Sequence, residues 1–254
     1  MTFFTKSWRS LLALLLLFIF WEIIVKVLEV PQWLLPSPAK IFQEAALHWS
    51  EFSVHLISTL RLSLTGFAIG TVIGLLTAIL LFLIPILKDT LYPLLILSQN
   101  IPTIVLAPLL VIWFGFGVLP KMIVITLVCF FPVTVAALDG FKQTPVELKD
   151  YLAMAGANKS QLFWKLEFPS SLPAIFSGLK ISATYSVMGA VISEWLGAKE
   201  GIGVYMTLAS SSFRTDRVFV AIFAIMILSL LFFAIIMVIE RFVIRWKTKG
   251  DDSV

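Results

Sequence analysis

Six stretches of this chain are apolar for long enough, or nearly long enough, to cross a lipid bilayer, and no other feature limits its fold as strongly. A spanning helix needs about 20 mostly apolar residues. Such runs lie at about 11–30, 62–84, 91–114, 122–138, 173–196 and 218–239. The 254 residues are 59% hydrophobic and 13% charged, roughly half the ~25% charge of a soluble domain. No single water-facing core of this size could bury so much apolar surface beneath so few charges. An ordinary soluble protein, a disordered chain and a nucleic-acid binder are excluded. The expected fold is all-α: one polytopic membrane domain over residues 1–254 with six transmembrane helices. The single cysteine, Cys129, lies in an apolar run and supports no disulfide framework.

The first run has a basic start in Lys6 and Arg9 and an apolar middle, as a signal peptide does. It continues as Trp21-Glu22-Ile23-Ile24-Val25-Lys26 with no small-residue cleavage site, which favours an uncleaved anchor. Glu22 and Lys26 are four apart, Glu first, the favourable order for a helical pair. Six spans put both termini on one side. Of the 19 Lys and Arg, eleven fall on that side, five on the other and three in or beside spans. The positive-inside bias therefore places the termini, and the loop at about 139–172, in the cytoplasm.

That loop opens with Thr144-Pro145-Val146-Glu147, which reads as an N-cap, a proline at the first helical position and a capping-box glutamate. A short helix then runs to Gly156, where a positive φ can end it. Leu162, Phe163 and Leu166 suggest a second short helix, stopped by Phe168-Pro169, with Leu172-Pro173 opening the next span. Acidic residues Glu147 and Asp150 sit on the first helix and Lys159 and Lys165 on the second. These residues alone leave a membrane-surface hairpin and a docking site for a cytoplasmic partner both open.

The loop resembles that of the inner-membrane permease subunits of binding-protein-dependent ABC importers, which carry E-A-A, three residues, G, nine residues, I-x-L-P. With Gly156 at the glycine, Asp150-Tyr151-Leu152 stand at E-A-A, Ala153 follows, and Leu166-Glu167-Phe168-Pro169 stand at I-x-L-P. The glycine, the proline and the spacing match; Asp replaces Glu and Tyr-Leu replaces Ala-Ala. Leu35-Pro36-Ser37-Pro38, Trp113-Phe114-Gly115-Phe116-Gly117 and Glu194-Trp195-Leu196-Gly197 followed by Gly201-Ile202-Gly203 resemble the sulfonate, nitrate, taurine and thiamine-precursor branch. Within it, Ser98-Gln99-Asn100-Ile101-Pro102-Thr103 and Tyr185-Ser186-Val187-Met188-Gly189 are most similar to thiamine-precursor pyrimidine permeases. The resemblance implies a type I importer permease in the cell inner membrane. It also implies a second copy of the chain, giving twelve spans, two cytoplasmic ATPase subunits docked on the loops, and an external solute-binding protein. The chain itself would be no enzyme and hold no cofactor, ATP being bound by the separate subunit. Consistent with that, no Gly-Lys dipeptide, and so no P-loop, occurs in the sequence.

Polar groups are costly in lipid and mark bundle interiors. Gln99, Asn100, Pro102 and Thr103 in the third run, and Ser186 and Glu194 in the fifth, are the candidate pathway residues. Gly66, Gly70 and Gly74, four apart, make a flat face for close helix packing, within the chain or between copies. The segment at 39–58 reads as an interfacial helix. Lys199, Glu200, Arg214, Asp216 and Arg217 at 197–217 offer charges to an external partner. His48 and His55 have no further ligands at metal spacing. A stand-alone secondary transporter or channel is the competing class. It would want a buried mid-span coupling group, whereas Glu22 is paired and Asp139 and Glu194 lie near span ends.

Overall fold

The computed structural model describes residues 2–245; Lys247 and Lys249, counted in the charge bias above, lie outside them. The described residues form helices and turns only. In chain order the helices are α1 (Thr2–Val27), α2 (Pro38–Leu47), α3 (Trp49–Leu83), α4 (Pro85–Gln99), α5 (Thr103–Phe114), α6 (Val118–Lys142), α7 (Val146–Met154), α8 (Lys159–Leu162), α9 (Phe168–Glu194), α10 (Ile202–Ser211) and α11 (Thr215–Val243). Four helical segments among the described residues are long and apolar enough to cross a membrane: Trp49–Leu83, Val118–Lys142, Lys159–Glu194 and Thr215–Val243.

Two expectations need correction. The third apolar run is not one helix but two, α4 and α5. Pro102 has no N–H to donate and pushes the residue before it out of the helical region. Asn100 N–H turns to Leu97 O at 3.2 Å, and the Asn100 carboxamide takes over Ile96 O at 2.8 Å. The segment at 39–58 is not a separate interfacial helix either. Only α2 is separate, with Pro38 in its first turn and the Ser37 hydroxyl accepting from Lys40 N–H at 3.4 Å. It ends at His48, and α3 starts at Trp49 and continues into the apolar run. Within the segment at 197–217, residues 202–211 form α10.

The chain divides into two compact units, residues 1–58 with 199–226, and residues 59–198 with 227–254. In the first, Glu22 pairs with Lys26 at 2.9 Å and accepts the Ala39 N–H at 3.0 Å, a carboxylate placed at the positive start of α2. Phe18, Trp21, Phe42, Phe219 and Phe223 stack around that junction. Glu44 is buried and lies 2.8 Å from Arg214 and 2.9 Å from Arg217. Arg214 also holds Asp216 at 3.0 Å. Arg214, Asp216 and Arg217, read from the sequence as charges for a partner, are thus engaged within the chain. His48 sits 2.9 Å from Glu44, and His55 accepts the Gly201 N–H at 3.1 Å.

In the second unit α6 is the central helix. Gly66, Gly70 and Gly74 of α3 face it: a Cβ on Gly70 would stand 2.7 Å from Cys129 Cβ and 2.8 Å from Thr126 O. A Cβ on Gly66 would collide with Ile125. The glycine row therefore packs inside one chain. Along an adjoining face of α6, Gly178 of α9 lies against Ala136 and the Pro132 carbonyl, and Gly140 lies against Ser171 and Ala174. Close approach lets hydroxyls reach across. Ser182 Oγ donates to Cys129 O at 2.8 Å, and Thr134 Oγ1, whose shorter bond runs to Phe130 O at 2.8 Å, lies 3.2 Å from Gly74 O. Lys180 and Glu240 join α9 to α11 at 3.0 Å.

Because Gly70 has backbone on the far side of its missing Cβ, Gly70→Ala should destabilise the unit by about 1–3 kcal/mol. The expected result is a lower thermal unfolding midpoint for the detergent-solubilised protein; an unchanged midpoint would mean α3 and α6 are not in this contact.

Candidate functional site

The loop between α6 and the fifth apolar run is a helical hairpin fixed at its turn and at its base. Helix α7 starts one residue later than the sequence suggests. Pro145, extended at φ −56° and ψ 132°, is the N-cap, and no side chain caps the helix. Thr144 therefore falls outside it, and its buried hydroxyl finds no hydrogen-bond partner among the described residues. At the other end Gly156 takes φ +85°. Gly156 N–H donates to Ala153 O and Ala157 N–H to Leu152 O, each at 3.0 Å. These two bonds satisfy carbonyls the helix end would leave open, and the positive φ they need suits glycine.

The second arm is not a separate short helix. Asn158 and Gln161 form a reciprocal capping box, with both bonds at 2.9 Å, and start α8. A π-turn follows over Phe163–Glu167, and α9 continues from Phe168. Pro169 was expected to stop the helix. A normal turn would press its ring on the carbonyl four residues back, and the wider π-turn just before it relieves that clash. Phe163, Phe168, Leu172 and Ile175 then pack with Phe141, Leu81 and Phe82. Lys149 of α7 reaches the buried Glu167 at 2.7 Å, tying the arms together.

This geometry divides the sequence motif in two. Leu166, Phe168 and Pro169 are partly covered, Phe168 within the aromatic base. Asp150, Tyr151, Ala153 and Gly156 are exposed, with Leu152 half-buried. Tyr151 is 67% and Met154 81% exposed. The hairpin presents a short, rigidly mounted helix whose outer face carries large apolar side chains and an acid.

Separately, a cleft of about 640 Å³ opens at the break between α4 and α5. It is lined by Ser98, Gln99, Pro102 and Thr103 from that break, by Val128 and Phe131 of α6, and by Tyr185 and Met188 of α9, among others. Three candidate pathway residues, Gln99, Pro102 and Thr103, are thus brought together. Asn100, Ser186 and Glu194 do not line the cleft. Asn100 is spent on Ile96 O. Ser186 is buried and donates to Ala183 O at 2.8 Å. Glu194, 1% exposed, accepts from Thr59 Oγ1 at 2.7 Å. Phe131 was missed from sequence, because an apolar residue in an apolar span carries no signal of which face looks inward; Tyr185 stood in a motif of the resemblance but was not among the candidate pathway residues.

Comparison with known proteins points one way. A family described as "Binding-protein-dependent transport system inner membrane component" matches residues 70–245. The chain is 39% identical to the formylaminopyrimidine transport permease protein ThiX of Halalkalibacterium halodurans, over 96% of this chain and 99% of that one. It is 32% identical to the riboflavin transport system permease protein RibX of Chloroflexus aurantiacus, over 95% and 92% of the two chains. In fold it is similar to a chain in the crystal structure of an amino acid ABC transporter with histidines, with TM-score 0.66 and 16% identity over 79% and 97% of the two chains.

The Lys149–Glu167 pair makes a structural prediction independent of any partner. Lys149→Met leaves a carboxylate buried without its counter-charge, and the two arms should loosen. Amide exchange across 146–154 is expected to rise at least about tenfold, which corresponds to ~1.4 kcal/mol of lost local stability. Exchange equal to that of the unmodified protein would show that the pair does not hold the hairpin.

Proposed function

This chain belongs to the binding-protein-dependent transport system inner membrane component family, and from that membership we propose that it is the permease subunit of an ATP-driven importer for a thiamine-precursor pyrimidine. Two copies form the pathway, with α1, α3, the broken pair α4–α5, α6, α8–α9 and α11 giving six crossings each. Both termini and the hairpin lie in the cytoplasm. An external binding protein delivers the solute, and ATP is bound and hydrolysed by a separate cytoplasmic subunit.

The observation that carries the reading is the split character of the hairpin. Its base is locked into the bundle by Phe163, Phe168 and the Lys149–Glu167 pair, while Tyr151 and Met154 of α7 stand exposed. Exposed large apolar side chains on a rigid mount are a docking surface. Closure of two ATPase subunits on that surface would push α7, and the continuous α8–α9 helix would carry the displacement into the spans. An element that is both exposed and stiff can pass a force; a flexible loop cannot. For the substrate, the relative at 39% identity is named for formylaminopyrimidine transport, which supports a pyrimidine over the sulfonates, taurine and nitrate of the wider branch.

The test is a mild-detergent purification from the native host followed by uptake into vesicles. A stoichiometric ATPase chain should accompany the permease and be lost with Tyr151→Asp, together with ATP-driven pyrimidine uptake, while the variant protein remains folded. Truncating a central interface aromatic typically weakens binding by ~2 kcal/mol or more, about 30-fold. A permease that purifies alone and transports without ATP would instead be a stand-alone transporter, and the reading would be wrong.

A further inference from the structure

Resting on the reading above, we propose that the cleft at the α4–α5 break is a selective binding site of the permease itself for an uncharged, flat nitrogen heterocycle, with Gln99 reading the polar edge of the ring. Selectivity would then reside in the membrane subunit as well as in the binding protein.

Size, charge and polarity of the walls all bear on this. A volume of about 640 Å³ is within the range of roughly 300–1,000 Å³ usual for small-molecule sites. None of the lining residues is charged. A sulfonate or nitrate entering the cleft would leave water without meeting a counter-ion, which is strongly unfavourable. Lys180, one position before the lining residue Ile181, is held by Glu240 at 3.0 Å and does not line the cleft. The polar groups that do face it are neutral. The Gln99 carboxamide offers donors and an acceptor side by side, the pattern that matches a ring nitrogen next to an amino group. Thr103 adds a hydroxyl, and Ser98, whose own proton goes to Leu95 O at 2.9 Å, adds an acceptor. Phe131, Tyr185 and Met188 supply the aromatic and thioether surfaces that pack against the faces of a planar ring. Gln99 and Thr103 flank the break in the helix and both line the cleft.

The experiment uses the permease assembled with its ATPase subunits in lipid nanodiscs, without the binding protein. It is titrated calorimetrically with formylaminopyrimidine and with methanesulfonate. Saturable binding of the pyrimidine and none of the sulfonate is expected. Gln99→Leu should weaken pyrimidine binding about tenfold, the effect of one lost hydrogen bond to a ligand. Co-purification with the ATPase at the unmodified ratio reports that the variant is folded, and Thr103→Val, expected to weaken binding less, gives a second reading of the same wall. Saturable binding of methanesulfonate, or pyrimidine binding indifferent to both substitutions, overturns the proposal. ATP-driven pyrimidine uptake with the binding protein present separates the two readings. If uptake runs while the permease alone binds nothing, only this inference falls. If uptake of the pyrimidine itself is absent, the proposed function falls with it.

Discussion

A backbone inside lipid has no water to bond to, and every feature of this chain answers to that constraint. Helices satisfy their own N–H and C=O groups, so long helices dominate, and wherever one is interrupted another group steps in. The break at Pro102 frees Ile96 O, and the Asn100 side chain takes it. At Pro169 a π-turn widens the helix so that it runs on instead of stopping. Lipid is as apolar as leucine, so helices do not associate by escaping water. They associate by fitting closely, and the rows of glycine where α3 and α9 meet α6 let backbone lie on backbone.

The same close packing holds the hairpin in place. Helix α7 is only nine residues long and would not be stable alone. It is held by the glycine turn at Gly156, by the Lys149–Glu167 pair and by the mounting of its second arm on the phenylalanines beneath. Because α8, the π-turn and α9 are continuous, the hairpin is the protruding start of a span.

How much of this the sequence discloses depends on whether the signal is local. Apolar runs at 62–84, 122–138 and 218–239 mark helices that exist, since length and hydropathy are properties of a segment. The turn at Gly156 is legible for the same reason: a glycine after a helical stretch, followed by a second cap. The capping box at Asn158 and Gln161 was equally local but hidden beneath the stronger Phe-Pro signal downstream. Non-local contacts had no signature. Nothing in the spacing of Lys149 and Glu167 marks them as a pair, and Arg217 looks like a free surface charge until the fold brings it to Glu44. Of the candidate pathway residues, polarity alone could not separate Gln99, which lines the cleft, from Glu194, which is buried against Thr59.

By itself the sequence determined that the chain is a helical membrane protein and where its helical hairpin turns, because hydropathy and the glycine at Gly156 after a helical stretch are written along the chain. Only the tertiary structure decided that the third apolar run is two helices around a cleft, that Pro169 continues a helix, and which polar residues face an opening. Those outcomes turn on which group receives a freed carbonyl, as Asn100 does for Ile96 O, and on which neighbour from elsewhere in the chain covers a ring or pairs a buried charge.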